Sequence, residues 1–174
     1  MRDRYGIGNT DIGLSNEKSI NQFIAHHSVV FQPCERRFWV STAPWQLGEY
    51  VWYDLDEVFA VDSVRTTSYA IDELNIAADS SALADEYVRV CRYREQFKDI
   101  SAAIDNKRRV DSSDLYNFIV SNPHYYQVYN IMGDYMLTQN KPKQAIVYWQ
   151  KALSLEIPRV GEREDIIEKI EKYD

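Results

Sequence analysis

Arg37-Phe38-Trp39-Val40-Ser41-Thr42 and Glu49-Tyr50-Val51-Trp52-Tyr53-Asp54-Leu55, preceded by Phe23-Ile24-Ala25-His26-His27-Ser28-Val29-Val30-Phe31, decide how the first third of this chain is read. All three runs are rich in β-branched and aromatic residues, which suit a pleated, half-buried surface. Gln32-Pro33-Cys34-Glu35-Arg36 between the first two is a natural hairpin connection, and the longer Ala43-Pro44-Trp45-Gln46-Leu47-Gly48 carries both breakers. An antiparallel meander follows. In the first run Phe23, Ala25, Val29 and Phe31 fall on one alternating face and Ile24 and Val30 on the other. Both faces are largely apolar, so burial on both sides of the sheet is expected. Three strands cannot supply that cover alone.

After Phe59 the period changes. Leu83, Tyr87, Val90, Phe97, Ile100 and Ile104 recur at steps near three, four and seven, the stripe of a long amphipathic helix with Asp79, Ser80 or Ser81 as its N-cap. A second helix starts at Ser112 or Ser113 and stops before Asn122-Pro123, where the backbone preceding proline resists the helical conformation. In Tyr126 to Ile157, Tyr129, Met132, Gly133, Met136, Ala145, Trp149 and Ala152 fall at the packing offsets of a 34-residue tetratricopeptide repeat, which this segment resembles. Small Gly133 and Ala145 let two helices approach closely, and Pro142 after the Asn140-Lys141 turn suits the first position of a helix. Glu162 to Tyr173, with Ile166, Ile167 and Ile170 on one side, reads as a capping helix. The expected class is therefore α+β: strands in residues 1–60, a linker over 61–78, and an all-helical, tetratricopeptide-like region over 79–174.

Composition narrows the partners. With 20 Lys+Arg against 27 Asp+Glu in 174 residues, the formal charge is −7, and the pI is near 5.0. Nucleic acid and anionic membrane surfaces are poor matches for that balance. Hydrophobic residues at 45% place the chain among folding globular sequences, and no run of about 18 apolar residues forms a membrane span. The N-terminus has no apolar stretch behind its charges. Cys34 and Cys91 form no redox or metal-ligand spacing, and no metal or cofactor is expected. Gly6-Ile7-Gly8 lacks the preceding strand and third glycine of a phosphate loop.

The stretches Ala25 to Pro33, Phe38-Trp39-Val40-Ser41-Thr42 and Gly48 to Leu55 together resemble the C-terminal strands of the acyl-coenzyme A:6-aminopenicillanic acid acyltransferase-like (peptidase C45-like) proteins, a family of N-terminal-nucleophile hydrolases. The resemblance covers roughly residues 5–60. It implies strands of a four-layer αββα sandwich, explains two-sided burial, and implies amide or thioester acyl transfer by a cysteine freed as a new N-terminus whose own amine serves as base. Cys34 follows Pro33 in the hairpin and Cys91 lies in a helix, so no catalytic residue is carried over. The chain is then expected to be a C-terminal fragment or subunit of such an enzyme, inert without the nucleophile segment, which would be its partner. The alternative is a stand-alone tetratricopeptide-type module that binds a protein or peptide.

Candidate site residues follow from these readings. Trp45, in a proline-containing loop, joins Tyr50 and His27 as candidates for a substrate pocket, since such pockets are mostly apolar with a few placed polar groups. Adjacent His26 and His27 on one strand would point to opposite faces and cannot share a metal. Asp54, Asp56 and Glu57 are more simply a strand end and the start of a turn or helix than paired catalytic carboxylates, and Lys107-Arg108-Arg109 is a solvated corner. Tyr125, Tyr126 and Tyr148 are candidate partner contacts on the helical region.

Overall fold

The computed structural model describes residues 2–60 and 70–174. It is a mixed α+β protein made of two compact units, one formed by Arg2 with Phe23–Asp85, the other by Asp3–Gln22 with Glu86–Asp174.

In the sheet unit, β1 (Val29–Gln32), β2 (Arg37–Ser41), β3 (Tyr50–Asp54) and β4 (Ala70–Ile76) lie in the order β1-β2-β3-β4, every neighbour antiparallel. The expected meander is present. Its first turn is a short 3-10 segment, Pro33–Glu35, closed by left-handed Arg36. Asp54 ends β3 and caps the short helix α1 (Leu55–Val58) by accepting the Asp56 N–H, so Asp54 and Asp56 serve a helix start, as read from sequence. Between Tyr50 and Trp52 the β3–β4 register slips, and the Asn75 side chain accepts the Trp52 N–H at 2.9 Å. Helix α2 (Ser80–Ala84) is capped by Asp79, which accepts the Ala82 N–H.

Three expectations are corrected here. The first strand does not begin at Phe23: residues 23–28 are irregular, with Phe23 in the left-handed region. Nor is it buried on both sides, since Val29 is 39% and Phe31 66% exposed. The segment expected as linker contributes β4 at Ala70–Ile76, while 61–69 lie outside the described residues. Asp72, Glu73 and Asn75 hid that strand, because low β-propensity residues on an edge strand are the kind that protect an edge from further pairing.

The helical unit contains α3 (Glu86–Asp105), α4 (Ser112–Ser121), α5 (Tyr126–Thr138), α6 (Pro142–Leu153) and α7 (Val160–Tyr173). The long helix expected from residue 79 is interrupted at Asp85, but α4 stops before Asn122-Pro123 and Pro142 opens α6, as the local chemistry requires. A Cβ on Gly133 would lie 2.3 Å from the Trp149 indole nitrogen, so only glycine lets α5 and α6 close into their hairpin. The Trp149 indole N–H donates to the Asn130 carbonyl and the Asp134 carboxylate, both at 3.2 Å. Lys169 of α7 donates to both Asp134 carboxylate oxygens (2.8 and 2.9 Å), fixing α7 on the hairpin. Ile166 is buried and Ile170 packs on the core, whereas Ile167 is exposed. Tyr93, Phe118, Val128, Met132, Trp149 and Ile166 belong to one continuous core cluster.

Among the described residues no helix is long and apolar enough to cross a membrane.

Candidate functional site

Strand alternation puts Phe31, Phe38 and Tyr53 on one face of the sheet, in the register Phe31↔Phe38↔Tyr53. Their rings form a stacked ladder, with centroids 6.1 Å apart for the first pair and 5.0 Å for the second. Val29 shares this face. Phe31 is two-thirds exposed and Phe38 and Tyr53 are half-buried, so the ladder meets solvent at its β1 end. The opposite face carries Trp39 and Trp52, which pair across β2 and β3, with the Arg37 guanidinium 5.5 Å from the Trp52 ring centroid.

The loop between β2 and β3 places the predicted pocket residues. Thr42 N–H donates to the Glu49 carbonyl (2.7 Å), and a Cβ on Gly48 would lie 2.4 Å from the Thr42 carbonyl oxygen, so this closure requires glycine. Ala43-Pro44 is cis, Trp45 has φ 47°, and its ring meets Phe23 edge-on at 5.8 Å. Tyr50 is fully buried, and its hydroxyl has no hydrogen-bond partner among the described residues. Arg2 lies over the Tyr50 ring (5.5 Å) and donates to the carbonyls of Gln46, Gly48 and Ala77. His27, by contrast, is exposed in the irregular segment before β1, as is His26, so the expectation that they occupy a strand is corrected. Arg2 was missed: a charged residue near the start of the sequence gives no signal that it organises a loop more than 40 positions away.

On the helical unit, two of the partner candidates are core. Tyr125 and Tyr126 are 7% and 2% exposed, their rings meet edge-on at 5.2 Å, and Tyr125 also meets Tyr93 at 5.8 Å. Burial pushes the Tyr125 phenol up to about 12, with help from Glu162 and Glu17, and raises Tyr93 and Tyr126 further. Tyr148 is half-buried against the core.

What the helical unit does hold is a turn-rich piece of chain, in which Gly13 and Ser15 both lie in the left-handed region. Asn122, 1% exposed just after α4, accepts the Leu14 N–H at 2.9 Å and donates to the Leu14 carbonyl at 2.8 Å. Its carboxamide thus pairs with a backbone unit as a neighbouring strand would. Fully buried Asn16 donates to the Glu156 carbonyl (2.9 Å) in the α6–α7 connection. Arg159 makes a forked pair with Glu17, at 2.7 to 2.9 Å, and Lys18 meets Glu156 at 2.5 Å. Gly13, at φ +84°, has no room for a side chain, since a Cβ would lie 2.5 Å from the Tyr125 backbone. Sequence reading placed residues 3–22 within the strand region, 1–60, and gave no sign of these partners.

Fold and surface together define a class, an α+β protein with an aromatic ladder exposed at its β1 end and a helical unit that seats a turn-rich segment. No family model, curated protein or solved structure matches the chain.

Proposed function

We propose that this chain supplies C-terminal strands and helices to an acyltransferase or amidohydrolase of the 6-aminopenicillanic acid acyltransferase-like, N-terminal-nucleophile group. One observation carries the proposal: the open Phe31-Phe38-Tyr53 ladder is the surface a second sheet of an αββα sandwich would cover. Apolar aromatic faces of this kind mark interaction sites in folded proteins. The antiparallel order of β1 to β3 and the resemblance of their sequences agree with that role. The nucleophile and its base would come from the segment that covers the ladder. In this chain Trp45 and Tyr50 are the residues closest in kind to a pocket wall, and the exposed His27 is a weaker candidate for it.

The test is the intact mass of the native protein, recovered from source cells with an antibody against the helical unit. Recovery within a longer polypeptide, or with a companion fragment beginning at cysteine, is expected. A solitary 20.4 kDa chain that unfolds cooperatively and binds no hydrophobic dye would overturn the proposal.

A second reading, a tetratricopeptide-type protein interaction module, is favoured by the Asn122 pairing, because the helical unit already holds the backbone of a docked segment through a side chain. The solitary 20.4 kDa outcome favours this reading.

A further inference from the structure

We propose that β1 (Val29–Gln32) is a self-pairing edge, along which two copies of this chain join their four-stranded sheets about a two-fold axis at Val30.

The free edge follows from the register. Ser41 N–H donates to the Ser28 carbonyl at 2.9 Å, so Ser28, Val30 and Gln32 turn their backbone groups toward β2. The N–H and C=O groups of Val29 and Phe31 therefore point out of the sheet, and they meet no partner among the described residues. Such a row of unpaired groups is a ready place for another strand. Its side chains, Val29 at 39% and Phe31 at 66% exposure, are also the open end of the ring ladder.

Charge separates the two edges of the sheet. Strand β4 carries Asp72 and Glu73, and in a chain of formal charge −7 a second copy pairing there would bring acid against acid. Strand β1 lies in a stretch, Phe23 to Cys34, that holds no Asp, Glu, Lys or Arg. Charge is what natural edges use to refuse a partner, and β1 lacks it.

A second copy fits because this edge is its own complement. Residues directly opposite in an antiparallel pair share a face, so a two-fold axis at Val30 sets Val29 of each copy opposite Phe31 of the other. Both residues point outward, so every free N–H and C=O on the edge is satisfied in both copies. On the ladder face, the exposed Phe31 ring gains a β-branched neighbour from the second copy, a favourable cross-strand pair. Pro33 has no N–H and residues 23–28 are irregular, so pairing ends with this one strand. A two-fold contact closes on itself, which gives a dimer and no fibre. One strand of four residues buries less than the about 1,200 Å² of stable complexes, so the dimer is weak and concentration-dependent. Neither reading of function is needed for it: a segment that covers the ladder lies on the sheet's face, whereas a second copy pairs along its edge.

The test is sedimentation velocity of the full chain from micromolar to millimolar concentration. A reversible monomer–dimer equilibrium with its midpoint in the high-micromolar range is expected, strengthening with salt that screens the −7 charge on each copy. Val29→Pro removes an outward N–H at the first position of an edge strand, where proline is tolerated. It should weaken the dimer at least about tenfold with the circular dichroism unchanged. Val30→Cys, in a chain also carrying Cys34→Ser and Cys91→Ser, should form an intermolecular disulfide, because Val30 faces its own twin at about 4.5 Å between Cα atoms. Gln32→Cys in the same background should not, since Gln32 faces Ser28 of the other copy and its twin is out of reach. A chain that stays monomeric at millimolar concentration overturns the inference, as does cross-linking that is equal at Val30 and Gln32. A dimer that survives Val29→Pro but is lost in Phe38→Ser would put the contact on the ladder's face and also overturn it. If Val29→Pro does not fold, Phe31→Lys, which sets a charge on the edge, is read by the same criterion.

Discussion

The sheet unit and the helical unit solve burial in opposite ways. In the helical unit Trp149, Met132, Phe118 and Tyr93 pack into one core cluster that touches every helix from α3 to α7. In the sheet unit Phe23, Leu47, Tyr50 and Trp52 are buried, but the ring ladder on the sheet is exposed at Phe31 and only half-buried at Phe38 and Tyr53. One unit has finished its interior; the other presents part of one at its surface. Substitution costs should therefore differ more by location than by residue type, since a core truncation leaves a cavity and an exposed ring leaves none.

The contrast predicts its own tests. Trp149→Ala should cost about 3–5 kcal/mol and remove the cooperative thermal transition at the helical circular dichroism band. A cost under about 1 kcal/mol would mean that Gly133 and the indole are not what holds the hairpin.

Alkaline pH offers a gentler probe. The Tyr125 phenol sits at about 12 when folded and near its ordinary value of 10 when unfolded. The folded state therefore holds the proton more tightly, and its stabilisation is complete below pH 10 and lost as pH rises from 10 to 12. A tenfold change in acidity corresponds to about 1.4 kcal/mol, so the loss is on the order of 2 kcal/mol. Urea midpoints measured from pH 9 to 12 should fall in unmodified chain and fall less in Tyr125→Phe.

Asn122→Ala leaves a part-buried backbone N–H and carbonyl at Leu14 without their partner, for about 1 kcal/mol. Hydrogen exchange at the Leu14 amide should rise before the core amides change.

The smallest effect is expected on the ladder. Phe31→Ser should shift stability of the isolated chain by no more than about 0.5 kcal/mol, while lowering hydrophobic-dye binding. A large loss would show that the sheet face is covered within this chain, and the contrast between the units would collapse.

Local chemistry made much of the fold legible. Pro142, Asn122-Pro123, Asp79 and the Gly133/Trp149 spacing each act within a few positions or one hairpin, so sequence displays them. Strand β4 was invisible because its residues are chosen for an edge, not for propensity. Asn122, Arg2 and Asn16 were equally hidden, since their partners lie 44 to 140 positions away. Tyr125 and Tyr126 misled because aromatic content alone does not distinguish a ring that meets a partner from one that meets α3. The Trp45 loop was read correctly as a built loop with both breakers, but its organiser, Arg2, was not foreseen.

The helical unit is discontinuous in sequence, and this bears on how the chain is made. Leu14 must wait for Asn122, 108 positions later, which at about 5–20 residues per second is roughly 5–20 s of synthesis. During that interval residues 13 to 17 have no docking surface, and the intervening sheet strands can pair before the segment finds its place. A helix-by-helix order is closed to this unit, because its opening segment is bound last. The stretch from Gly13 to Glu17 therefore spends the longest time undocked in the nascent chain, open to proteases and chaperones.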